Sequence, residues 1–78
     1  MSQREKLIER IRARPPEADF EDVRRLLELY GYEIKPGKHK HFAFRKPGYP
    51  TITVPTVSGR SVKRTYLDQI CGMLGLDD

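Results

Sequence analysis

The chain has no tryptophan, a single cysteine and only two histidines in 78 residues. One cysteine excludes an intrachain disulfide and a thiolate zinc site, and it points to a reducing, cytoplasmic compartment. No apolar run approaches the roughly 20 residues that a membrane-spanning helix needs. The opening stretch MSQREKLIER carries charge where a signal peptide has its apolar core, so neither export nor membrane attachment is expected. Internal repeats, low-complexity tracts and linkers are also missing, which predicts one domain over 1–78. A chain this short buries only about 60% of the surface its unfolded form exposes, and that excludes a deep internal active site. Chemistry belongs on an open face or groove, where a polymer can be gripped from outside.

Acidic residues are absent from Ile34 to Leu67, whereas eight basic ones fall there: Lys35, Lys38, Lys40, Arg45, Lys46, Arg60, Lys63 and Arg64. The seven other basic residues share the rest of the chain with all eleven acidic ones. The overall charge of +4 is therefore concentrated in one half of the sequence. A clustered basic face is the electrostatic footprint of phosphate binding, although a solvated basic surface has the same composition.

Hydrophobic spacing predicts the order α-α-β-β-β-α, an α+β fold. Residues 2–14 read as a short helix with Leu7, Ile8 and Ile11 on one stripe, ended by Pro15 and Pro16. A second helix follows Asp19 as N-cap, places Phe20, Val23, Leu26, Leu27 and Tyr30 at helical spacing, and stops at Gly31. The period then changes to two in YEIK, HFAFR and TITV, with KPGK and KPGYP as turns, so a three-stranded antiparallel meander is expected. A final helix is predicted over 62–74, with Val62, Tyr66, Leu67, Ile70, Met73 and Leu74 as its apolar stripe and Lys63 and Arg64 in its first turn. Free N–H groups and cations would converge there on an anion. The helices should cover one sheet face and leave the other to solvent.

Both histidines lie in the stretch GKHKHFAFR. Residues two apart in a strand point the same way, so His39, His41, Ala43 and Arg45 share the face opposite Phe42 and Phe44. A metal site needs at least one more ligand, and Asp68, Asp77 and Asp78 have no supporting spacing, so no metal or other cofactor is expected. Cys71 falls near the buried stripe of the last helix, and Ser58 and Ser61 have no motif around them, which leaves no convincing nucleophile. RNA cleavage asks for less. The 2′-hydroxyl of the substrate is the nucleophile, so the protein need only move protons and neutralise the charge that builds on the phosphate. A histidine with an ordinary pKa of about 6.5 can do the first, and lysine and arginine the second.

In these features the chain resembles the HicA family of bacterial toxins, from about Asp19 to Leu76. The resemblance is carried by the helix ending in Gly31-Tyr32, the strand HFAFRKPG, the block TITVPTVSGRSVKRTYLDQI and the terminal LGL. It implies a fold like the double-stranded-RNA-binding domain, with the helix at 2–14 as an addition to a core at 19–76. It also implies metal-independent cleavage of messenger RNA by a catalytic histidine and inhibition by a HicB-type antitoxin. The family motif is Gly-Ser-His before the aromatic alternation, and counting back from Phe44 and Arg45 places its histidine at His41. Gly-Ser is then replaced by His39-Lys40. The alternative register, Gly37-Lys38-His39, keeps the glycine but needs two extra residues before the phenylalanines.

The reading that follows is a toxin endoribonuclease with His41 as general acid or base and His39 as a second catalytic candidate. Lys38, Lys40, Arg45, Lys46, Arg60, Lys63 and Arg64 are its phosphate-binding candidates. Two other readings use the same face: an RNA-binding module that cuts nothing, and an interaction protein that docks an acidic antitoxin.

Overall fold

The computed structural model describes residues 3–37 and 41–76. Its elements run α1 (Gln3–Arg12), β1 (Glu17–Asp19), α2 (Phe20–Leu29), β2 (Glu33–Pro36), β3 (His41–Arg45), β4 (Ile52–Pro55), β5 (Ser61–Lys63) and α3 (Arg64–Leu74). The α+β class, the three helices and the antiparallel β2-β3-β4 meander match the sequence expectation.

Two differences concern the ends of helices. Residues 17–19 and 61–63 form a second, two-stranded antiparallel sheet, with Ala18 opposite Val62, Glu17 opposite Lys63 and Asp19 opposite Ser61. Val62 and Lys63 therefore belong to β5, and the last helix begins at Arg64 rather than at 62. Val62 fits a helical stripe in sequence, but its pairing with Ala18 buries it in a strand instead. The first helix is also shorter than 2–14. Arg14 already has φ 52°, a left-handed conformation that breaks the helix just before the two prolines.

The helix ends follow from local chemistry. Asp19 stands at the N-cap of α2 as expected, yet its side chain makes no capping bond; the Phe20 N–H is instead taken by the Arg60 carbonyl at 2.8 Å. At the other end Gly31 adopts φ 92°, its N–H reaching the Glu28 carbonyl at 3.0 Å and the Tyr32 N–H reaching Leu27 at 3.1 Å. This is the Schellman arrangement, completed by burial of both Leu27 and Tyr32. Gly75 closes α3 in the same way, with Leu76 N–H on the Cys71 carbonyl at 2.9 Å.

One apolar core joins all of these elements. Leu7 and Ile11 of α1, Phe20, Val23, Leu26 and Leu27 of α2, and Leu67, Ile70 and Cys71 of α3 cluster with Phe44, Ile52 and Val54 of the three-stranded sheet. Phe20 stacks on Phe42 with ring centroids 4.3 Å apart and lies 6.3 Å from Phe44. The sheet thus turns its phenylalanines to the helices, and no described polar or charged side chain is buried. The opposite face stays open, which positions everything that follows.

Candidate functional site

The open face is set by register. Lys35 faces Ala43, which in turn faces Thr53; Glu33 faces Arg45; His41 faces Pro55. Successive rows on one face are two residues apart, or about 7 Å. His41, Lys35, Arg45, Glu33 and Thr53 are all exposed, so the side-chain parity read from HFAFR holds in the fold. Between them Ala43 has only a methyl group, giving the middle of the face a low floor on which an extended polymer can lie.

His41 begins β3 at one end of this face. The Gly37 N–H donates to its carbonyl at 2.8 Å, and a Cβ at position 37 would stand 3.0 Å from that same oxygen, so the close approach favours glycine. Lys38, His39 and Lys40, three of the predicted site residues, lie outside the described residues. Arg60 lies in the loop after β4, whose last residue, Pro55, stands opposite His41; its carbonyl accepts from the Phe20 N–H, which ties its backbone to the start of α2. The turn that delivers Arg60 has positive φ at Ser58 and Gly59 (55° and 71°), with the Arg60 N–H on the Val57 carbonyl at 3.0 Å.

Arg45 and Lys46 lie at the other end of the strand, about 13 Å from His41 along β3. There the sequence Lys46-Pro47-Gly48-Tyr49 makes a tight turn with Gly48 at φ 84° and the Tyr49 N–H on the Lys46 carbonyl at 3.0 Å. Proline and glycine at those two positions favour a type II turn. The Lys46 ammonium sits 4.4 Å from the Tyr49 ring centroid and 5.6 Å from that of Tyr32. Lys46 is therefore a cation shared between two rings and only half-exposed, less available to a phosphate than Arg45.

The two remaining predicted cations, Lys63 and Arg64, are exposed at the junction of β5 and α3. Lys63 faces Glu17 in the β1-β5 ribbon, and Glu17 also accepts from the Ser61 hydroxyl at 2.7 Å. Arg64 donates its Nε–H to the Arg14 carbonyl at 2.9 Å, while its backbone N–H reaches the Pro16 carbonyl at 3.2 Å. The first backbone N–H of α3 is thus engaged by the segment after α1. Lys35 and Tyr49, by contrast, join the open face without having been singled out as site residues. Alternation in YEIK placed Lys35 opposite Tyr32 and Ile34, but only the pairing with Ala43 puts it beside the histidine strand.

Several charges on the first two helices pair with one another. Arg24 bridges Glu21 and Glu28, and Arg10 reaches Asp22 at 2.9 Å. The hydrogen bond from Arg24 holds the Glu21 carboxyl below its ordinary pKa. Among the described residues no group of three or more His, Cys, Asp and Glu could hold a metal ion, and no helix is long and apolar enough to cross a membrane. No family model, curated protein or solved structure matches the chain.

Proposed function

We propose that the chain is a metal-independent endoribonuclease, a toxin of the HicA type with a double-stranded-RNA-binding-domain-like core, working in the cytoplasm on messenger RNA. The observation that carries the reading is His41 itself: an exposed histidine on the open face of a strand whose alternate residues are anchored in the core. The order α2-β2-β3-β4-β5-α3, in which a three-stranded meander and the short β5 lie between two helices, supports the core assignment.

In this reading single-stranded RNA lies along the open face. Neutral His41 takes the proton of a 2′-hydroxyl, the oxygen attacks the adjacent phosphorus, and the bond to the 5′-oxygen breaks as that oxygen is protonated. The products are a 2′,3′-cyclic phosphate and a 5′-hydroxyl. Lys35 and Arg45 neutralise neighbouring phosphates, Arg60, exposed in the loop after β4, is a further phosphate contact, and His39 is the candidate for the second proton transfer. A HicB-type antitoxin would inhibit by covering the same cations.

Binding without cleavage is the second reading. It is favoured by the surroundings of His41: among the described residues, those paired with it or next along its face are Pro55, Gly37 and Ala43, none with a side chain that donates or accepts a proton.

The test is incubation of labelled single-stranded RNA in EDTA with the wild type, His41→Ala and His39→Ala, followed by analysis of the ends. Cyclic-phosphate ends from the wild type, with cleavage reduced by about 10²-fold or more in His41→Ala, are expected. Intact RNA with a folded, salt-sensitively bound wild type would leave the binding reading standing alone.

A further inference from the structure

The turn at the Arg45 end of the open face builds a second feature that proton transfer at His41 does not use. Tyr49 is 57% exposed, the most open of the large apolar and aromatic side chains among the described residues. Its position is nevertheless fixed. The 46–49 turn ties its N–H to Lys46, and the Lys46 ammonium lies over its ring and toward buried Tyr32. The Lys46 stem in turn runs beside Gly31, where a Cβ would stand 3.4 Å from its Cε. An aromatic ring held from below and exposed above costs a ligand little ordering entropy when it is stacked upon.

The ring borders a depression of about 370 Å³ lined also by Glu33, Lys35, Arg45, Lys46 and Thr51. Three cations face one carboxylate there, so the electrostatics suit an anionic ligand. An aromatic face flanked by cations is the combination that single-stranded nucleic acids use, base on ring and phosphate on lysine or arginine.

We propose that Tyr49 is a base-stacking platform that holds a nucleobase of single-stranded RNA a few nucleotides from the phosphate at His41, with Lys35 and Arg45 on the intervening backbone. This rests on the endoribonuclease reading and assigns it a substrate-gripping subsite at the far end of β3. Stacking is tolerant of base identity because every base has a π-face. The subsite therefore fixes the path of the strand more than its sequence.

The experiment uses the full chain carrying His41→Ala, so that RNA stays intact, and measures fluorescence anisotropy with a labelled single-stranded oligoribonucleotide at several salt concentrations. Adding Tyr49→Ala is expected to weaken binding by about 5- to 100-fold, whereas Tyr49→Phe keeps it within about twofold. The salt slope should stay unchanged in Tyr49→Ala and become shallower by about 0.7 in Arg45→Ala. Equal affinity for the Tyr49→Ala and parent proteins, with matching thermal melts, overturns the platform. So does absence of RNA binding by the parent, including the case in which an acidic peptide binds the face instead. Cleavage by the wild-type histidine chain is scored separately. Tyr49-dependent binding without cleavage removes the endonuclease reading and keeps the subsite; cleavage with Tyr49-independent binding does the reverse.

Discussion

The Arg64 guanidinium donates a hydrogen bond to the carbonyl oxygen of Arg14 at 2.9 Å, fastening the first residue of α3 to the turn that follows α1. Arg14 itself pairs with Asp68 one turn further along α3, so two arginines lace the two helices together. A cation that the sequence offers to a phosphate is thereby engaged in the fold.

This arrangement predicts opposite behaviour for two arginines of the basic half. Arg64→Met should lower stability by about 1–2 kcal/mol, through loss of a charged hydrogen bond, and leave RNA affinity and its salt dependence unchanged. Denaturant melts and binding isotherms on the same preparation check both halves of the statement. A shallower salt slope in Arg64→Met would show that its guanidinium reaches RNA after all.

Two glycines should respond with opposite sign to the same substitution. Gly31 sits at φ 92° in the cap of α2, so Gly31→Ala forces a side chain into left-handed backbone and should cost about 1–2 kcal/mol. Gly72 lies inside α3 at an exposed position where an added Cβ meets nothing within 4 Å. There Gly72→Ala should stabilise by about 0.5–1 kcal/mol, because the unfolded chain loses freedom and the helix gains a better former. Thermal melts of the two variants beside the wild type suffice.

Phe20 and Phe42 are expected to be energetically coupled. Their rings stack at 4.3 Å with planes inclined by 31°, clamping the strand residue next to His41 from the core side. In a double-mutant cycle with leucine at each position, the coupling should be about 0.5–1.5 kcal/mol. A value indistinguishable from zero would mean the two rings contribute only by their separate burial.

Much of this fold was legible because its signals are local. The meander needs only the alternation around Ile34, Phe42, Phe44, Ile52 and Val54 with Pro47-Gly48 between strands, and the stop of α2 needs only Gly31. The ribbon of β1 and β5 was not legible, since Glu17-Ala18-Asp19 and Ser61-Val62-Lys63 each offer a single apolar residue, too few to display a period of two. Val62 also matches a helical stripe with Tyr66, and only a partner far away in sequence decides between the two. The same limit applies to the site. The exposed face of β3 follows from parity, whereas the engagement of Arg64 depends on a carbonyl 50 residues distant, and the company of Lys35 and Tyr49 depends on strand register and turn geometry.

The β1-β5 ribbon has a further consequence, for the order in which the molecule assembles. It joins Glu17 to Ser61 across a separation of 44 residues, whereas the hairpins and helix caps close over a few. Closing a loop of that length costs about 3 kcal/mol of chain entropy beyond a constant term, and that cost comes before the ribbon's own contacts repay it. The meander and α2 can therefore form while α1 is still undocked. The ribbon acts as a late latch: until β5 arrives, the Phe20 N–H has no Arg60 carbonyl to bind, and the core beneath the histidine strand is incomplete.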